Sequence, residues 1–213
     1  GYMQLRYNDN NYDIVIERKN NKRTYIRVKD DLKIHVSTNY FETNFSIKKL
    51  IKDNYSEICR MIDNAKVKKE NNSGFFYLGK KYTIVHIEGD DISFSNDIVY
   101  IGRDVDIDKW YKSKAKDLFL ERLNYNYDNF SRKIPYPKLR IRKMTSRWGV
   151  CNIMTHIITL NLNLIKRDTK YLDYVIVHEL SHLIHGDHSS RFWKLVGENM
   201  PDYKKYREEM KEF

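Results

Sequence analysis

Val177-His178-Glu179-Leu180-Ser181-His182 is the stretch on which the reading of this 213-residue chain turns. His178 and His182 stand four positions apart. On a helix both imidazoles then project from one face. Two nitrogens so placed bind one zinc ion at about 2.0–2.1 Å each. Glu179 follows the first histidine, where its carboxylate can take a proton from a water that the metal activates. Such a site takes three protein ligands and leaves one position open. The plain alternative is a surface helix with two histidines and a glutamate. Random placement of the chain's seven histidines and its glutamates gives such a match in about 1% of cases.

Working outward, Leu172, Val175, Ile176, Leu180, Leu183 and Ile184 recur at helical spacing, which predicts a helix over 169–185. Gly186 ends it. The third ligand must come from elsewhere. His185 shares the helical face but lies roughly 10 Å along the axis from His178. Gly186 lets the chain turn back, so His188 can approach from off the helix; Asp187 stands beside it. His185, His188 and a more distant carboxylate are the alternatives.

Upstream, Tyr12-to-Ile16, Thr24-to-Val28 and Leu32-to-Val36 alternate between turn signals and predict a β-meander. Ser46 reads as the N-cap of one helix running to Ala65. Short strands follow over 75–101. A helix starts at Asp106 and stops before Pro135. Leu139 to Met144 and Ile157 to Leu164 alternate as strands. Ser189 and Pro201 each open a short helix.

Composition sets the outer bounds. The chain is 41% hydrophobic and 14% aromatic, enough for a packed core. No run of 18 apolar residues exists, which excludes a transmembrane helix. Gly1 to Asn10 is polar and carries no signal-type apolar core. Two cysteines, Cys59 and Cys151, make no disulfide framework, and a cytoplasmic setting is expected. The net charge of +10 is uneven. Residues 106–150 hold 12 basic and 5 acidic side chains, whereas 151–213 hold 9 of each. Arg132 to Arg147 has seven basic residues and no acidic one. This run is a candidate surface for nucleic acid or phosphate.

Several motifs occur together. His178-Glu179-x-x-His182 is followed by His188 and by Ser189-x-x-Phe192-Trp193. Ser146-Arg147-Trp148-Gly149-x-Cys151, Asn161-Leu162-Asn163 and Leu172-Asp173-Tyr174-Val175 precede it. Lys22 to Val28 and Tyr77-Leu78-Gly79-Lys80-Lys81-Tyr82 add to the set. Together they resemble the YgjP-like zinc metallopeptidases, zincins related in pattern to the SprT and WLM metalloproteases. Metzincins are a poorer match, because the glycine falls one place late, at Gly186, and no Met-turn is visible. The resemblance implies a catalytic zinc on His178, His182 and His188, with Glu179 as general base. It implies an α+β fold: a β-rich N-terminal region with one helix, residues 1–104, then a zincin-like catalytic domain, 105–213, around the active-site helix. It also implies a cytoplasmic hydrolase, with a peptide or protein as the expected substrate and no membrane partner.

Members of that group have also been labelled nucleotide pyrophosphatases. A nucleoside triphosphate pyrophosphatase using Mg²⁺ or Mn²⁺ is therefore the alternative, as is a nucleic-acid-associated protein with a metal site. Arg147 is a candidate catalytic residue, stabilising a developing oxyanion; a salt bridge or loop cap is its other reading. Trp148 reads as packing and Cys151 as a small core residue. By the same resemblance, Ile157 to Leu164, carrying Asn161 and Asn163 on one face, is the candidate edge strand for an extended substrate; a plain sheet strand is its equal alternative. His35, His86 and His156 have no ligand spacing.

Overall fold

The alternating runs near the N-terminus become β1 (Gln4–Tyr7), β2 (Asn10–Arg18), β3 (Tyr25–Val28) and β4 (Ile34–Thr38). The computed structural model describes residues 3–71 and 73–211, and its packing divides into the units Gly1–Ser73 and Gly74–Phe213. In the first unit the strand order is β1-β2-β4-β3, with β2 and β4 parallel. The expected meander is therefore corrected. Asn20-Asn21 does not close a hairpin. Lys19 N–H instead donates to Thr38 O at 2.8 Å, and Asn21 Nδ2 donates to Ser37 Oγ at 2.7 Å. The segment after β2 is thus bound to the end of β4, and alternation alone carries no such partner information.

The single helix expected from Ser46 is two: α1 (Asn44–Asp53) and α2 (Tyr55–Asn71). The N-cap is Thr43, whose hydroxyl accepts the Ser46 N–H at 3.1 Å. Asn54 separates the helices by donating its side-chain amide to Leu50 O at 2.8 Å. Ile47, Ile51, Ile58 and Ile62 bury against Leu5, Tyr12, Ile34 and Val36.

The second unit opens with β5 (Phe75–Tyr77), β6 (Lys80–Ile87), β7 (Ile92–Ser95) and β8 (Ile98–Gly102), in the order β5-β6-β8-β7. The division expected after residue 104 lies inside this unit. Phe75 stacks on Tyr111 at 5.0 Å, and Leu78 N–H donates to Ile165 O at 2.9 Å, so these strands share a core with the C-terminal elements. Those elements are α3 (Ile107–Asp128), β9 (Lys138–Arg142), β10 (Gly149–Asn152) and β11 (Ile157–Asn161). A 3-10 helix (Leu162–Lys166), α4 (Thr169–His182), α5 (Ser190–Asn199) and α6 (Tyr203–Glu209) complete the unit. The fold class is α+β, as expected.

The second sheet runs β10-β11-β9, with β10 antiparallel and β9 parallel to β11. β11 is thus central, and the edge-strand reading of Ile157 to Leu164 is corrected: the strand edges belong to β10 and β9. β11 also stops at Asn161, and Asn163 lies in the 3-10 helix. Asn161 is wholly buried. Its Oδ1 accepts the N–H of Asn163 at 3.0 Å, and its Nδ2 donates to Met144 O at 3.0 Å and Arg147 O at 2.8 Å. One side chain therefore ends the strand and ties down the β9–β10 loop. Val175, Ile176 and Leu180 of α4 share one core with Ile158 and Leu160 of β11. Arg122 of α3 clamps Asp173 of α4 with two bonds of 2.8 and 2.9 Å.

Candidate active site

α4 carries His178 and His182 on one face. The helix ends at His182, one turn short of the expected end, where Leu183 N–H donates to Leu180 O. The chain turns at Gly186, where a Cβ would stand 2.9 Å from Ile153 Cδ1. It returns as the His188 loop, and Ser189 caps α5 by accepting the Phe192 N–H.

This path brings three ring nitrogens together. His188 Nε2 lies 3.1 Å from His182 Nε2 and 3.3 Å from His178 Nε2, and all three ligand atoms lie within 4.8 Å of one another. Two ligands about 2.05 Å from a tetrahedral metal stand about 3.3 Å apart, so the two separations from His188 fit one ion. The ring tautomer fits as well. His182 Nδ1 donates to His185 O at 3.0 Å, because a carbonyl only accepts, which leaves Nε2 as a bare lone pair facing the cluster. Phe192 stacks on His182 at 4.4 Å and Trp193 on His188 at 5.7 Å, which holds both rings in place. Burial pushes the His178 imidazole down to about 3, with the charges of His182 and His188 adding to it. Burial likewise lowers His182. Neutral imidazoles are the form that binds metal.

Glu179 sits on the sheet side of α4, 5% exposed. It packs on Gly149 of β10, where a Cβ would stand 3.1 Å from Glu179 Cγ and 2.8 Å from Val175 Cγ1. The missing side chain is what allows α4 to approach. Burial pushes the Glu179 carboxyl up to about 8, and the Arg147 charge pulls the other way. The 4.0 Å approach of Glu179 Oε1 to His178 Nε2 is no ion pair, since burial disfavours charge on both.

The triad and Glu179 line a cleft of about 630 Å³, with β10 along one wall. Arg147 is exposed, lines this cleft and makes no ion pair among the described residues. Trp148 is half-buried in the core and donates Nε1–H to Met210 O at 3.2 Å. Cys151 lines the cleft, and burial pushes its thiol up to about 12, with the Glu179 charge adding to it. The His185 ring and Asp187 stay outside the triad; Asp187 Oδ1 accepts the Ser189 N–H. The basic run is split: Lys138, Arg142 and Lys143 line a different groove, and only Arg147 reaches the cleft. Sequence reasoning missed Tyr174 and Arg207, which also line it. Tyr174 was legible as the residue one turn before His178. Arg207 was not, because only the tertiary fold sets its guanidinium 4.2 Å over the Trp193 ring.

The family model for the YgjP-like metallopeptidase domain matches residues 22–213. The chain belongs to the YgjP-like family. No curated protein matches this YgjP-like chain. Among solved structures it is similar to the metallopeptidase zymogen abylysin of Pyrococcus abyssi, at 25% identity and TM-score 0.39 over 43% of this chain and 90% of that one. It is similar to the zymogen jannalysin of Methanocaldococcus jannaschii, at 21% identity and TM-score 0.34 over 45% and 91%. Wss1 from S. pombe aligns at 21% identity and TM-score 0.33 over 61% and 96%. The expected metallopeptidase assignment therefore rests on the family model. No helix of this YgjP-like protein, among the described residues, is long and apolar enough to cross a membrane.

Proposed function

We propose that this metallopeptidase is a zinc-dependent peptide hydrolase with Glu179 as general base and His178, His182 and His188 as ligands. The observation that carries the reading is the cluster of three imidazole nitrogens within 4.8 Å of one another on one wall of the cleft. An all-imidazole set suits zinc better than Mg²⁺ or Mn²⁺, which favour oxygen. Zinc, when bound, supplies a Lewis acid that acidifies water and polarises a carbonyl. The protein's own groups do the rest. Glu179 takes the water's proton on its carboxylate and returns it to the leaving amine. Its burial makes that carboxylate a stronger base than an exposed one. Arg147 offers its guanidinium to the developing oxyanion or to an anionic group of the substrate. Among the described residues β10 pairs with β11 on one side only, and its free edge suits the backbone of an extended peptide.

Arg147, Arg207 and Lys211 on the cleft favour a second reading, hydrolysis of nucleoside triphosphates. Phosphates would find three cations there, but among the described residues no carboxylate cluster to hold Mg²⁺ or Mn²⁺.

The test compares wild type with Glu179→Gln after zinc loading, on unfolded casein and on nucleoside triphosphates. We expect about one zinc per chain in both proteins, casein cleavage by wild type, and a loss of about 10³-fold or more in the variant. Full activity in the zinc-loaded variant would sink the base assignment. Pyrophosphate release without casein cleavage would replace the peptidase reading with the second.

A further inference from the structure

α3 and β9 enclose a second groove, of about 560 Å³, which shares no lining residue with the active-site cleft. Leu120, Leu123, Leu139 and Ile141 contribute apolar lining. Lys112 and Lys116 stand on the helical side, and Lys138 and Arg142 on the strand side. None of these four cations has an ion-pair partner among the described residues, whereas Lys143 is tied to Asp108 at 2.9 Å. Among the described residues no acidic side chain lines the groove.

β9 is an edge strand, paired among the described residues with β11 alone. Its side chains alternate: Lys138, Arg140 and Arg142 are exposed, and Leu139 and Ile141 are half-buried on the opposite face. We propose that this groove docks an extended acidic peptide segment, which adds to the free edge of β9 as a further strand. Main-chain hydrogen bonds to an unpaired edge supply affinity in such additions, and alternate side chains supply selectivity. A strand laid beside β9 puts every second side chain next to Lys138, Arg140 and Arg142, where a carboxylate forms a cross-strand pair. The intervening side chains face Leu139, Ile141 and Leu120, where apolar residues fit. The occupant is therefore a segment of about five residues alternating acidic with apolar, spanning about 17 Å.

Charge on an edge strand also blunts edge-to-edge aggregation. That role needs no apolar lining and no lysines on the helix opposite, and this groove has both. Single-stranded nucleic acid fits less well. Its successive bases want a run of aromatic faces, and the groove offers one aromatic ring, Tyr136, 55% exposed and tethered through its hydroxyl to Asn124. The proposal is independent of the peptidase reading.

The test is fluorescence anisotropy of the full chain with a labelled, acetylated heptapeptide alternating Glu and Val, at about 100 mM salt. We expect saturable binding with a Kd of about 10–100 μM. It should weaken about tenfold or more in R140E/R142E. The same peptide N-methylated at alternate residues keeps its charge but cannot pair with the edge, and should weaken to a similar degree. The arm with the methylated peptide needs no variant of the protein. The proposal is overturned by absence of saturable binding, by binding that survives the double substitution, or by equal binding of the methylated peptide. A thymidine heptanucleotide that binds as tightly as the peptide overturns it in favour of a nucleic-acid surface.

Discussion

Asn161 shows how much one polar residue fixes. Its amide is wholly buried, yet both ends are satisfied by the 3-10 helix and the β9–β10 loop. Truncation would strand the Met144 and Arg147 carbonyls in the interior. Asn161→Ala should therefore lose about 2–4 kcal/mol, read as a lower urea midpoint at unchanged slope. Cys151 makes a different prediction. Its thiol, pushed up to about 12 by burial and the nearby Glu179 charge, stays protonated through pH 9. In the metal-free protein, alkylation by iodoacetamide should stay slow between about pH 7 and 9 and accelerate only above that range, since only the thiolate reacts. Rapid labelling at pH 8, followed by peptide mass spectrometry, would contradict the assignment. The His178–Glu179–His182 core was legible because its spacing is local. His188 stood among alternatives until the turn at Gly186 was seen to bring it back. Arg207 left no local trace, because its place on the cleft depends on how α6 packs rather than on any spacing to the histidines.

Elements were legible in type more often than in extent. α4 was read from its apolar face, and only its last turn was overestimated. β11 was read too long because Leu162 and Leu164 continue the alternation, although both are buried in a 3-10 helix. Strand partners were the least legible feature. The order β1-β2-β4-β3 depends on what Lys19 and Asn21 bind, not on any periodicity. The contact between β10 and α4 yields the prediction at this scale. Any side chain at Gly149 meets Val175 and Glu179. Gly149→Val should push the Glu179 side chain off β10, cost about 1–3 kcal/mol and cut hydrolysis more than zinc binding, because the atoms nearest an added Cβ belong to Val175 and Glu179 and not to the histidines. Equal loss of zinc and activity, by metal analysis and casein cleavage, would count against this geometry.

At the scale of the molecule, the three histidines, Glu179 and both grooves all belong to Gly74–Phe213. Metal should therefore stabilise that unit selectively. At a thousandfold excess over Kd, binding contributes about 4 kcal/mol. Chelation should raise hydrogen exchange in α4 and α5 while leaving β1–β4 unchanged; uniform loss of protection would show that the two units respond together. The basic run Arg132 to Arg147, read as one candidate surface, is divided between two places with different surroundings: Arg147 on the cleft, and Lys138, Arg142 and Lys143 in the groove beside β9.

One detail of α4 reaches further than its size suggests. The His185 carbonyl is free to hold His182 Nδ1 only because the helix has already stopped. Had α4 continued by two turns, that oxygen would be bonded to a backbone N–H four residues on, and the imidazole would be left to choose between two protonation patterns. The stopping point of a helix thus acts as a selector of proton position. A chain with all three histidines intact but a longer α4 would present the cluster with a less decided ring.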